Sequence, residues 1–432
     1  MSNIVSPAAV GASDSALARV CGGLALVILF VMFMGLSPFS DLGDPRMLDL
    51  SGGHETFTYM MMFALVAAAG FLLVCLGRLP LRPLATRWNL LLLAWLCVTV
   101  VLSTDPGTSA RRLVLTLMTF ALAAMLPWLT QGVRHFTNLL VMTVAAVLLL
   151  SYLGVLLAPH LTVHQPTDLV DPEIAGDWRG VYGHKNVAAS MMAIFMFVGW
   201  FVMRMGRPAT GLLIAGASFA FLLFTGGKNA LGMLFVAGMV AFAVVRAGTL
   251  RKKAFFAFAP LALIALLTLG SVASETIRSF VRALPIDATF TGRTEIWSFA
   301  LDAIGMHPWK GHGFEAFWYS SSVRYGAEDS TRWMVEVATS HNSYVDLALT
   351  IGLPGLALVL VAFLAAPLVD FHHTRPTPAN QDFARLFLVL WLFALYFGTF
   401  EAFFLSRANP VWFVLAFAVC GLRYIREFDA RA

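Results

Sequence analysis

"TSHNSYVDLALTIGLPGLALVLVAFL", Thr339–Leu364, opens on a histidine and an asparagine and then runs almost wholly apolar. About 20 such residues cross a bilayer core. In lipid every backbone N–H and C=O needs an internal partner, so the segment predicts a helix. Similar runs recur along the chain, near 18–37, 57–76, 88–103, 112–129, 136–158, 186–203, 209–225, 230–246, 254–273, 343–366, 384–405 and 409–423. The expected fold class is all-α, a polytopic transmembrane helical bundle of about 12 spans. Three regions follow: residues 1–273 with the first nine spans, 274–341 as a loop subdomain, and 342–432 with the last three spans and a tail.

Composition agrees. Apolar residues make up 59% of the 432 and charged residues 12%, too few for the charged shell of a soluble protein of this size. The net charge of +5 resides in short loops between apolar runs, which sets topology and does not suggest a nucleic-acid partner. Cys21, Cys75, Cys97 and Cys420 all fall in apolar segments, with neither zinc spacing nor a disulfide framework. The first apolar run lacks a small-residue cleavage site and is expected to be a retained helix.

Basic residues cluster in alternate loops: Arg78, Arg82 and Arg87; Arg204 and Arg207; Arg246, Arg251, Lys252 and Lys253; Arg423 and Arg426. The positive-inside bias then makes both termini cytoplasmic. Arg111 and Arg112 fall on the wrong side of this scheme. Two long loops lie on the outer side, about 159–185 and 274–341. Long loops in compact proteins are often functional. Within the second, Ile296, Trp297, Ala300, Leu301 and Ile304 recur at helical spacing, with Arg293, Ser298 and Asp302 elsewhere on the wheel. Pro308, Gly311 and Gly313 stop this amphipathic helix, which is expected to lie on the membrane surface or to cap the bundle.

The chemistry-bearing residues gather at the same outer ends. His341 stands where the loop meets a span, and Asn342 and Asp346 follow it. The plainer alternative is a capped helix start, with His341 facing water. Arg293 offers a planar fork of donors that suits phosphate, or else meets lipid headgroups. In "FTGGKNALGMLF", Lys228 follows two glycines in a short connection and can reach an outer anion or simply snorkel. In "DWRGVYGHKNVAAS", Arg179, His184, Lys185 and Asn186 gather at a helix entrance, where unpaired N–H groups favour anions. Trp309, Phe314, Phe317, Trp318, Tyr319 and Trp333 suit sugar stacking or interface anchoring. A Walker phosphate loop, HExxH and GxSxG are absent, as is any carboxylate cluster with metal spacing. Charged residues deep within spans are sparse; Glu401, at the outer end of the eleventh, stands out.

These motifs resemble the O-antigen ligase and polysaccharide polymerase family of bacterial inner membranes. "GRTEIWSFALDAIGMHPWKGHGFEAFW" is similar to the family's Arg-x-x-x-Trp helix and Pro…Gly-x-Gly turn, and "HNSYVDLALTIGLPGLAL" to its His-Asn motif and Gly-rich helix. "GVYGHKNVAAS" looks more like the exopolysaccharide-polymerase branch. The resemblance implies transfer of a glycan from undecaprenyl pyrophosphate to a sugar hydroxyl at the periplasmic face, with neither cofactor nor metal. It implies His341, Arg293 and Lys228 as catalytic groups, lysine standing where the family usually has arginine in a Ser-Arg-Gly-like turn. His341 would be the general base of an inverting transfer, with the two cations on the departing pyrophosphate. Arg179, Lys185, Asn186, Asn342, Trp309 and Trp318 would hold substrate. The expected partners are the lipid-linked oligosaccharide, membrane lipid, and chain-length or export proteins. A ligase acting on the lipid A core shares this chemistry; a lipid-linked glycan transporter and a non-catalytic assembly factor are the rivals outside it.

Overall fold

A computed structural model describes residues 12–44, 53–78, 84–169, 171–285, 287–290, 292–320, 339–407 and 409–428. Each of the twelve expected segments falls on a helix. They are α1 (Ala12–Met34), α2 (Gly53–Cys75), α3 (Arg87–Val101), α4 (Pro106–Leu129), α5 (Val133–Leu157), α6 (Lys185–Arg204), α7 (Pro208–Phe224), α8 (Lys228–Arg246) and α9 (Leu250–Ala273). Two extramembrane helices follow, α10 (Glu275–Arg282) and α11 (Arg293–Met306). The chain then forms α12 (Ser343–Val359, continued through a π turn to His372), α13 (Pro378–Phe397) and α14 (Pro410–Glu427).

Among the described residues, eight helices are long and apolar enough to cross a membrane. Apolar helices α3 and α7 are shorter. Helices α13 and α14 fall outside both groups; they form the centre of the bundle, with almost every residue of Phe383–Phe397 and Pro410–Leu422 buried. The eleventh segment ends at Phe397, earlier than its apolar run suggests. Residues 398–407 fold instead as a loop across the bundle's end, which takes Glu401 out of the span and into that loop.

Side chains at the helix ends satisfy the first backbone donors. Thr86, Asp105, Thr249, Thr377 and Asn409 each accept from N–H groups of the helix they precede. Among the described residues, the basic loops share one face of the bundle. There Arg204 pairs with Asp382, and Arg423 and Arg426 both pair with Asp370. Arg112 lies on the other face, buried, and donates to the Glu315 carbonyl. This resolves the charge anomaly at that position, since the guanidinium is occupied by the loop.

The most telling feature of the fold is a break in α12. Gly352 adopts φ 70 and ψ 173 inside the helix, and Pro354 follows. Proline has no N–H to give to Thr350, four residues back. The Thr350 carbonyl accepts from Gly313 N instead, at 2.9 Å. Leu353 N turns away to Pro308 O at 2.8 Å, and Leu349 O takes His312 N at 2.9 Å. Ile351 O takes the Trp95 indole at 2.8 Å. The Pro…Gly-x-Gly turn and the Gly-rich helix, separate motifs in the sequence, are therefore two halves of one hydrogen-bonded joint. A Cβ on Gly352 would lie 2.3 Å from the Trp309 carbonyl oxygen. Gly352→Ala should cost about 1–3 kcal/mol from backbone strain alone, with the clash added. Thermal unfolding in detergent measures it; an unchanged midpoint would show that the joint is not structural.

Candidate active site

The α12 joint holds the loop after α11 against α12, and α11 itself packs there through a second small core. Ala300 and Ala303 meet Phe317, Trp318, Val345 and Leu349. Helix α11 thus caps the bundle. Its buried stripe is Arg293, Trp297, Ala300 and Ala303. The wheel read from sequence put Arg293 off the apolar stripe. The structure puts it on that stripe, one turn before Trp297, because a carboxylate waits there.

That carboxylate is Glu401. Its Oε1 accepts from Arg293 Nη2 at 2.7 Å and from Asn186 Nδ2 at 2.8 Å, and its Oε2 meets His341 Nδ1 at 3.3 Å. Arg293 also donates to the Phe400 carbonyl at 2.5 Å. Three distant segments thus converge on one side chain from the 398–407 loop. The loop is locked in turn: Ser343 Oγ donates to Glu401 O and accepts from Phe403 N, while Ser343 N donates to Gly398 O. Burial pushes the Glu401 carboxyl up, but the charge and hydrogen bond of His341, then Arg293, outweigh it and hold it below its ordinary value.

An ionised Glu401 fixes the His341 tautomer. A carboxylate only accepts, so Nδ1 carries the proton and donates to it. In its neutral form the ring's Nε2 has a lone pair to take a proton, and the side chain is a third exposed. His341 also adopts φ 50, a left-handed conformation uncommon outside glycine. Trp297 pins this turn by donating its indole to Ser340 O at 2.9 Å.

Lys185 and Asn186 begin α6 beside this cluster. Lys185 Nζ pairs with Asp177 at 2.5 Å. His184 caps the helix: its Nδ1 accepts from Asn186 N, so its Nε2 donates to Asp171 at 3.3 Å. That hydrogen bond holds the Asp171 carboxyl below its usual value. The Gly226–Gly227 turn packs against the Asp177 carboxylate and Ala189. This places the exposed Lys228 at the first turn of α8, on the same face as the rest.

Three expected substrate contacts are engaged within the protein. Arg179 is fully buried and donates to Ser40 O at 2.8 Å and Tyr182 O at 3.2 Å, so it ties two loops together. Asn342 is 1% exposed. Its Oδ1 accepts from Tyr344 N and Val345 N, and its Nδ2 donates to Thr399 O. It is the helix cap. Asn342→Ala should destabilise the protein by about 1–2 kcal/mol, read as a lower melting point in a thermal melt. Trp318 is packed, its indole donating to Asp346 Oδ1 at 3.0 Å. Trp309 is 72% exposed. Trp333 lies outside the described residues.

Sequence reasoning noted Glu401 but gave it no role, and it did not single out Asp171. A lone acidic residue where an apolar run ends was the signal for Glu401. Its partners are too far away in the chain to be read by spacing. Among the described residues, no cluster of metal-ligating side chains is present.

Residues 213–360 match the O-antigen ligase family model. The match contains Lys228, Arg293 and His341; Asn186 and Glu401 lie outside it. The chain is also 26% identical over 301 residues to the exopolysaccharide production protein ExoQ of Rhizobium meliloti (strain 1021). That alignment covers 65% of this chain and 64% of the relative, just under two thirds of the relative's length. The two matches support an O-antigen ligase or polysaccharide polymerase family member. Over these stretches the chain is similar to membrane proteins of glycan assembly. The family match spans both motifs of the α12 joint, so it covers the architecture that carries His341 as well as the residue itself.

Proposed function

We propose that this chain is an inverting glycosyltransferase of a bacterial inner membrane. It would move oligosaccharide repeat units from undecaprenyl pyrophosphate to a sugar hydroxyl at the periplasmic face, and so polymerise an exopolysaccharide. The observation that carries the reading is the Glu401–His341 pair beside buried Arg293. His341 Nε2 accepts the acceptor hydroxyl's proton as its oxygen attacks the anomeric carbon. The bond to the pyrophosphate breaks, and Lys228 with Arg293 offsets the charge gathering on it. Glu401 holds the imidazole in the productive tautomer and steadies the imidazolium that forms, as the carboxylate of a catalytic triad does. Lys185, Asn186 and exposed Trp309 border the donor and glycan. Both termini then lie in the cytoplasm, in accord with the basic face opposite the site. Chain-length or export proteins are further partners on this reading.

The relative's role in exopolysaccharide production favours polymerisation, and the description of the matching family favours a ligase. A deletion strain, with and without the wild-type chain, separates them. Single repeat units stranded on the carrier in the deletion identify a polymerase. Full polymer on the carrier that never reaches the lipid A core identifies a ligase. A deletion that stops glycan from reaching the outer side at all identifies a transporter and removes the catalytic reading.

A further inference from the structure

The face opposite the site carries a second feature. Helix α8 ends at Arg246, and Thr249 caps α9, its hydroxyl accepting from Lys252 N at 3.3 Å. The three-residue turn between them is open, and an added Cβ on Gly248 would have no atom within 4 Å. Four cations crowd this corner, and they divide. Lys253 turns inward, is 8% exposed, donates to Val244 O at 3.0 Å and lies over the Phe371 ring. Arg246, Arg251 and Lys252 remain exposed and line one concavity of about 580 Å³ with Phe255 and Phe256.

The lining contains no carboxylate. Some cations on this face are answered within the protein: Arg204 by Asp382, Arg423 and Arg426 by Asp370. Among the described residues, Arg246, Arg251 and Lys252 have no such acidic partner. The apolar side of the concavity points the same way. Phe255 is 66% exposed and Phe242, against which the Arg246 guanidinium rests at 4.6 Å, is 64% exposed. These rings lie on helices long and apolar enough to cross a bilayer, one helical turn inward from the cations.

We infer that the α8–α9 corner is a binding site for an anionic phospholipid. Its phosphate sits among Arg246, Arg251 and Lys252, and its chains lie over Phe255 and Phe256. Charge complementarity selects the headgroup, since basic corners between spans bind phosphate lipids. The exposed rings select a lipid over a soluble phosphate. The site is separate from the catalytic face and does not depend on the proposed reaction.

The test is native mass spectrometry of the purified protein in detergent, titrated with phosphatidylglycerol, cardiolipin or phosphatidylcholine. The wild type should retain the two anionic lipids in preference to phosphatidylcholine. The Arg251→Gln/Lys252→Gln double variant should bind them roughly tenfold or more weakly. Arg207→Gln, the same charge loss elsewhere on this face, should bind as wild type does. Phe255→Ala/Phe256→Ala should weaken lipid binding while leaving inorganic phosphate binding unmoved. Equal retention of phosphatidylcholine overturns the proposal. So does an equal loss in Arg207→Gln, which would mean a diffuse field and not a site, and so does displacement of lipid by millimolar inorganic phosphate. Should the double variant fail to purify folded, Arg251→Gln alone carries the comparison with Arg207→Gln.

Discussion

His341→Asn should abolish glycan transfer while leaving the protein folded and abundant. The choice of residue matters, because His341 sits at φ 50. Asparagine is among the few side chains that tolerate the left-handed region, so the turn into α12 survives. What is lost is the ring nitrogen that accepts the proton. Positioned acid–base groups contribute about 100- to 10,000-fold, and the transfer rate should fall by that order. The readout is turnover of a lipid-linked donor by purified protein, and accumulation of single repeat units in cells. His341→Gly gives the complementary control: it relaxes the backbone, again without an imidazole, and should be as inactive. Transfer at wild-type rate in both variants would reduce His341 to a helix-entry residue and end the proposed mechanism.

Glu401 predicts the second large effect, on stability and activity together. Its side chain is 15% exposed and that of Arg293 9%, so the pair is largely out of water. Glu401→Ala leaves a buried guanidinium without its counter-charge, which costs about 3–5 kcal/mol. Glu401→Gln keeps shape and one acceptor oxygen, so it should fold better than the alanine variant. It should still lose most activity, because an amide can donate to His341 Nδ1 and no longer dictates the tautomer. The pH dependence has a definite sign. The folded carboxyl lies below its ordinary value of 4.5. Its contribution is therefore fully present above that value and is lost as pH falls through the lower, folded one. Thermal melts from pH 7 downward should show an acid-side drop in the wild type that is smaller in Glu401→Gln. Equal slopes in both proteins would mean that Glu401 is not ionised in the fold.

The helices were legible because the bilayer allows few alternatives. An apolar run of sufficient length has to be a helix, and His341, Arg293 and Lys228 stand out as polar groups at the ends of such runs. The partners of these groups were not legible. Asn342 as helix cap and Asn342 as substrate contact are the same letters, and the choice depends on Thr399, which only the fold brings near. Arg293 seemed to lie off the packed stripe because a wheel places charge in water by default. A buried carboxylate from 108 residues later in the chain reverses that default. Arg179 shows the opposite case. Its neighbours suggested an anion site, and its actual ligands are carbonyls of Ser40 and Tyr182, which carry no sequence signature.

The break in α12 has a consequence for how the protein is made. Carbonyls at Leu349, Thr350 and Ile351 are bound by Trp95, His312 and Gly313. All three donors lie earlier in the chain than the groups they serve. A ribosome releases them first, so the receiving surface can be in place before the interrupted segment enters the bilayer. A chain permuted to place α12 ahead of residues 95–313 would insert the Thr350 carbonyl with no donor, since Pro354 has none to give, at a cost of several kcal/mol. Vectorial synthesis and the position of the histidine are linked here, since the segment that waits for its donors is the one that carries His341 at its mouth.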